Sequence, residues 1–76
     1  MKELIEYIAK SLASKPDEVI VTEISEEDGQ VVLRLECAED DKGKIIGRQG
    51  RVAQAMRVLL RVRAVKDDVR ASLEIV

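Results

Sequence analysis

Two glycines three positions apart, Gly47 and Gly50, divide two apolar-patterned segments and force the chain to turn between them. Glycine has no Cβ, so Gly47-Arg48-Gln49-Gly50 can adopt backbone conformations closed to other residues and can lie directly against a ligand. Ile45 and Ile46 lead into this turn, and Arg51 to Ala64 follow it with the periodicity of an amphipathic helix. The turn therefore falls at a helix N-terminus, where unpaired N–H groups and the positive end of the helix dipole favour an anion.

The segments on either side set the fold class. Leu4, Ile5, Ile8, Ala9 and Leu12 recur at spacings of three and four, which predicts a one-sided helix over 2–13. Tyr7, the single aromatic residue, falls toward the edge of that stripe, where a partly buried packing role is expected. Pro16 cannot continue the helix and restricts the residue before it. Val19 to Ile24 is rich in β-branched residues and reads as a strand whose buried face the pattern leaves open. Glu26-Glu27-Asp28-Gly29 supplies a turn, and Val31, Leu33, Leu35 and Cys37 then alternate, giving a hairpin with those four facing inward. The outward positions Ile20, Ile24 and Val32 form a possible self-association patch.

Asp40 or Asp41 is placed to cap a short helix from Lys42 to Ile46, weakened by Gly43. One of Ile45 and Ile46 is expected to anchor that helix in the core, and the other to line an apolar groove beside the turn. In the long helix, Val52, Ala55, Met56, Leu59, Leu60 and Val62 fall on one arc, expected to be core, with Gln54, Arg57 and Arg61 opposite. Arg57 and Arg61 either bind phosphate or are simply solvated. Arg63 points back along the arc, so fraying is expected there. Val69, Ala71, Leu73 and Ile75 alternate as a last strand. The order is helix, strand, strand, helix, helix, strand: an α+β fold with a three-stranded sheet and helices on one face.

At 76 residues the chain is read as one domain, 1–76, with a modest core. A single Cys37 and no histidine leave no internal disulfide, no Cys/His metal set and no Cys-His or Ser-His pair, so no catalytic or metal residue and no cofactor is assigned and an enzyme is not expected. The acidic start at Met1-Lys2-Glu3 is unlike a signal peptide, and no stretch approaches a membrane span, so a cytoplasmic protein is expected. A net charge of −2 conceals an asymmetry: residues 1–41 hold four bases against twelve acids, whereas residues 42–70 hold nine bases against two. Positive charge thus gathers around the glycine turn, as in a nucleic-acid binder. The spacing and ending of a P-loop and the glycines of a dinucleotide fold are absent.

Ile45-Ile46-Gly47-Arg48-Gln49-Gly50-Arg51, ending one helix and opening another, resembles the signature of KH domains, whose Gly-x-x-Gly loop clamps a few single-stranded nucleotides. With its element order, the chain looks like the small stand-alone bacterial KH proteins of the KhpA (YlqC-like) family. The resemblance implies a type II (prokaryotic) KH fold, α-β-β-α-α-β, and single-stranded RNA as partner. It implies RNA contacts at Lys44, Ile46, Gly47, Arg48, Gln49, Gly50 and Arg51, with Arg57 and Arg34 as additional candidates. The amides of Arg48, Gln49, Gly50 and Arg51 are expected to meet phosphate, and bases to lie in a groove involving Ile45 or Ile46 and part of the Val31–Cys37 strand. A role as post-transcriptional regulator or RNA chaperone follows from the likeness. The alternative is a protein-interaction module forming a homodimer, or a heterodimer with a second KH protein of the Jag (KhpB) type. The scarcity of aromatic residues argues against an RRM, which stacks bases on its sheet.

Overall fold

A computed structural model describes residues 1–26 and 29–76, with the side chains of Ser25 and Glu26 excepted. Chain order is α1 (Lys2–Leu12), β1 (Ile20–Glu26), β2 (Gln30–Glu36), α2 (Lys42–Ile46), α3 (Arg51–Lys66) and β3 (Arg70–Ile75), with single 3-10 turns at Pro16–Glu18, Glu39–Asp41 and Arg48–Gly50. The acidic tip at Glu27 and Asp28 lies outside the described residues.

The sheet runs β1-β2-β3. β1 and β2 are antiparallel with Val21 opposite Leu35, and β2 and β3 are parallel with Leu33 opposite Leu73. Parallel neighbours need a long crossover, which α2 and α3 supply. The face that the β1 sequence left open is settled by burial: Val19 and Val21 point inward, while Ile20 and Ile24 stand exposed on the helix-free face. Inward residues Val21, Leu33, Leu35 and Leu73 meet Ile5 and Ala9 of α1, Ile45 of α2, and Met56 and Leu60 of α3 in one core. Burying each large aliphatic side chain contributes about 1.5–3 kcal/mol, and these few residues hold the layers together.

Several expectations need correction. Tyr7 is 75% exposed, because α1 turns only its Ile5–Ala9 side fully to the core. Of the arc expected to be core in α3, Met56 and Leu60 are buried and Val52 packs partly against the core, whereas Ala55, Leu59 and Val62 are exposed, and the buried stripe is completed by Ala53 and Ala64. Apolar residues nearly surround this helix, and Ala53 and Ala64 take the inner side, where a small side chain allows close approach to neighbouring elements. Arg63 is accordingly exposed, and the helix continues past it, with its Nε donating to Asp67 at 3.2 Å. The end of α3 is a Schellman motif: Val69 N–H donates to the Ala64 carbonyl and Asp68 N–H to Val65, with Asp68 left-handed at φ 57°. The last strand therefore begins at Arg70 rather than Val69.

Asp41 does not cap α2 with its side chain. Fully buried, it accepts the backbone N–H groups of Ser14 and Lys15 at 2.9 Å each, tying the α1–β1 connection to the start of α2. Those two amides hold its carboxyl below the usual aspartate range; burial opposes them, and the Lys44 ammonium 3.9 Å away adds to them. Burial raises the Cys37 thiol, which keeps it protonated as a small apolar residue should be. No helix among the described residues is long and apolar enough to cross a membrane.

Candidate nucleic-acid interface

The turn that interrupts the helical pattern is an open corner between α2 and α3. Gly47 closes α2 at φ 78° and ψ 170°, a region essentially restricted to glycine. A Cβ there would run into the Val52 side chain and lie 2.9 Å from the Val52 nitrogen. Gln49 (φ 57°) and Gly50 (φ 73°) are both left-handed, and together they swing the chain into the first turn of α3. Nothing lies within 4 Å of a Cβ built on Gly50, so this glycine faces open space.

Four amides were expected to face a phosphate, and two are already engaged. Gly50 N–H donates to the Gly47 carbonyl at 3.1 Å, and Arg51 N–H donates to Arg48. Among the described residues, the amides of Arg48 and Gln49 meet no internal acceptor. Arg48, Gln49 and Arg51 are exposed, and neither arginine is ion-paired among the described residues; Arg51 donates only a long 3.4 Å bond to the Gln49 side chain. Two N–H groups without an internal acceptor and two guanidinium groups without an acidic partner, among the described residues, make a small positively charged corner.

The two isoleucines divide as the sequence required: Ile45 is fully buried, and Ile46 is 38% exposed beside the turn. Lys44 is not free in the same way as the arginines. Its ammonium is bonded to the Ser14 hydroxyl and faces Asp41, which draws it toward the start of α2 rather than toward Gly47. Arg34 is brought to neither the turn nor α3. It lies on the helix-free face of the sheet, paired with Glu74 at 3.5 Å, because even-numbered residues of β2 point away from the helices.

Arg57 is not opposite the buried stripe but at its flank. It is half-buried, with Nη2 donating to the Leu73 carbonyl of β3 at 3.4 Å. The sheet edge available for a groove is also different from the one expected. β2 is bonded on both sides, so its peptide edge is closed, whereas β3 is an edge strand. A cleft lies between α3 and β3, lined by Arg57, Leu60, Arg61, Ala71, Ser72 and Leu73. Neither the Leu73 carbonyl nor the Asp41 clamp was visible in the sequence, since each depends on residues brought together from distant positions. Among the described residues, no cluster of acidic, cysteine or histidine side chains is arranged to hold a metal.

Known proteins match nearly the whole chain. The profile of the KhpA/KhpB KH domain matches residues 2–75. Among curated proteins, the chain is 47% identical over 76 residues to the RNA-binding protein KhpA of Clostridium acetobutylicum, covering all of both chains. It is 49% identical over 73 residues to the RNA-binding protein KhpA of Borreliella burgdorferi, covering 96% of this chain and 88% of the relative. The RNA-binding protein KhpA of Treponema pallidum is 45% identical over 75 residues, with 99% and 92% covered. No solved structure gives a significant match. The α-β-β-α-α-β order, the three-stranded mixed sheet and a match spanning nearly every residue place this chain in the KhpA/KhpB family of KH domains.

Proposed function

We infer that this protein binds single-stranded RNA, holding the sugar-phosphate backbone at the corner formed by Gly47, Arg48, Gln49 and Gly50. The observation that carries this reading is the pair of exposed amides, Arg48 and Gln49, left without internal acceptors among the described residues, beside the unpaired Arg48 and Arg51 side chains. One phosphate accepts from both amides, and the two guanidinium groups add charge-assisted contacts. Such contacts position a strand without reading its sequence. The exposed part of Ile46 offers an apolar surface to an adjoining sugar or base, and Lys44 contributes by long-range attraction from its tether at Ser14. The relatives' name, RNA-binding protein KhpA, supports the same ligand class. A grip of a few nucleotides suits a post-transcriptional regulator or RNA chaperone, which must bind and release many strands.

The test is Arg48→Asp combined with Gln49→Asp, which sets two anions against the phosphate position on an exposed turn. Binding of a labelled single-stranded octaribonucleotide should be lost while the thermal unfolding transition is nearly unchanged. Wild-type affinity should also fall steeply as salt rises. A folded double variant that binds normally would remove this corner as the clamp.

A second reading is favoured by one further observation. Val58, Leu59, Val62 and Val65 form an exposed apolar stripe along the outside of α3. Their spacing puts them on one side of the helix, and a contiguous patch of this kind marks a contact surface. The occupant that fits is a second copy of the chain. A two-fold arrangement would pack the stripe of one copy against the same stripe of the other. Sedimentation equilibrium should report a dimer that Leu59→Glu with Val62→Glu converts to monomer. A wild-type monomer that instead pairs with a different KH protein would assign the stripe to a heterodimer.

A further inference from the structure

We propose that this protein anneals RNA: two copies paired through the α3 stripe hold two unpaired strands antiparallel on one side of the helix pair, with Arg61 of both copies between them. The proposal rests on the RNA-binding and self-pairing readings above and adds an activity that a single copy with a single turn does not have.

The placement of the stripe relative to the turn carries it. At about 100° per residue, Arg51, Val58 and Val62 fall on one line along the outside of α3, so the stripe runs straight back from the glycine turn. Two copies packed stripe to stripe about a two-fold axis have either parallel or antiparallel helices. Parallel helices would set Arg51 of one copy against Arg51 of the other, with Arg48 close by in both, and no acid among the described residues is paired with either arginine. Like charges repel at that range, so the antiparallel pair is the one that closes. Its two-fold axis stands perpendicular to the plane containing both helices. Such an axis keeps each flank of α3 on its own side of the pair and reverses every direction along the helices.

Arg61 identifies the side. It lies about 90° around α3 from the stripe, on the flank where Arg57 is already bonded to the Leu73 carbonyl. Arg61 itself is exposed and, among the described residues, has no ion-pair or hydrogen-bond partner. It stands about 16 Å along the helix from Gly50, the rise of about five stacked nucleotides at 3.4 Å each. A strand gripped at the turn and running along this flank therefore reaches Arg61 level with the middle of the stripe. The second copy treats its own strand in the same way. Because the flank stays on one side, both strands pass the axis on the same face of the pair; because direction reverses, they pass it antiparallel. Packed helices lie about 8–10 Å apart, so the strands run side by side. The two Arg61 guanidinium groups offset the repulsion between phosphates where the strands come closest. Antiparallel alignment with screened backbones is the arrangement from which a duplex forms, and it requires no side chain to read a base.

The experiment follows the annealing of two complementary RNA hexadecamers, one carrying a donor dye and the other an acceptor, by energy transfer. Wild type, Leu59→Glu with Val62→Glu, Arg61→Glu and Arg61→Lys are each used at a concentration that saturates them with strand. Sedimentation equilibrium reports the oligomeric state of each, thermal unfolding its folding, and titration with a non-complementary octamer the number of strands per chain. Wild type should bind one octamer per chain and speed annealing at least about tenfold, because both strands on one dimer meet at a high effective concentration. The monomeric double variant should bind the octamer like wild type yet speed annealing no more than about twofold. Arg61→Glu should stay dimeric and anneal at least about threefold more slowly than wild type, whereas Arg61→Lys, which keeps the charge, should stay close to it. Acceleration by the monomeric variant equal to that of wild type overturns the proposal, since charge alone would then suffice. So does a dimer that binds a single strand, a saturated dimer that leaves the rate unchanged, or full acceleration by Arg61→Glu. A wild-type monomer overturns it through the self-pairing reading, and octamer binding retained by Arg48→Asp with Gln49→Asp overturns it through the reading of the glycine turn, so the three failures are told apart.

Discussion

The two ends of α2 are a closed corner and an open one. At the N-terminal end, Asp41 brings its own carboxylate to the amides of Ser14 and Lys15, and the Lys44 ammonium completes the site. At the C-terminal end, the amides of Arg48 and Gln49 and the side chains of Arg48 and Arg51 face outward with no acid among the described residues to satisfy them. Each corner gathers backbone N–H groups and positive charge. One is filled from within the protein and braces the fold, whereas the other stays open at the surface. The five residues of α2 make the two inseparable, since whatever fixes one end also sets the direction of the other.

The sharpest way to break the comparison is to empty the closed corner. Asp41→Ala leaves two part-buried amides without their acceptor and takes the anion from the exposed Lys44 ammonium, and it should lower thermal stability more than any single substitution at the open corner. Asp41→Asn should fall between Asp41→Ala and wild type, because an amide oxygen can still accept but carries no charge. Acid distinguishes them further. The folded chain holds this carboxyl below its ordinary value, so the unfolded chain takes up the proton first as pH drops. The stabilisation from Asp41 is thus complete above the unfolded value of about 3.9 and disappears as pH falls through the lower folded one. Thermal melts from neutral pH downward should show the gap between wild type and Asp41→Asn closing in that acidic window. A gap independent of pH would mean that the charge of Asp41 contributes nothing.

The open corner was legible in the sequence and the closed one was not, for a physical reason. Gly47, Gly50, Ile46 and Arg48 act through local backbone geometry, and their meaning lies within a few residues. The partners of Asp41 are 26 and 27 positions away, and nothing in Glu39-Asp40-Asp41 says which acid turns inward. The strands were equally readable, because alternation at Val31, Leu33 and Leu35 admits one buried face. α3 was not: with Ala53, Ala55, Val58, Leu59, Val62 and Ala64 spread around it, hydrophobicity alone favours no single side. Only the outer stripe's exposure in the folded chain separates core from surface there. Arg57 was misplaced with that arc, since moving the buried stripe carries the arginine from the solvent side to the β3 flank.

A smaller effect compares the two glycines of the open corner itself. In Gly47→Ala the new methyl meets Val52 side chain and backbone at a φ/ψ pair reserved for glycine, so both packing and backbone resist it. The expected cost is about 2–4 kcal/mol, seen as a lower denaturant midpoint, and RNA binding should fall with it as the turn distorts. Gly50→Ala meets nothing and pays only for left-handed backbone, about 1 kcal/mol, while Gly50→Asn, tolerated in that region, should be nearly neutral. Their effect should appear in binding instead, because any side chain at Gly50 stands in the open space through which a phosphate would approach Arg48 and Gln49. A Gly50→Asn protein with wild-type stability and weakened RNA affinity would fix the ligand to that side of the turn. Unchanged affinity would put the strand on the Ile46 side, leaving Gly50 a purely conformational hinge into α3.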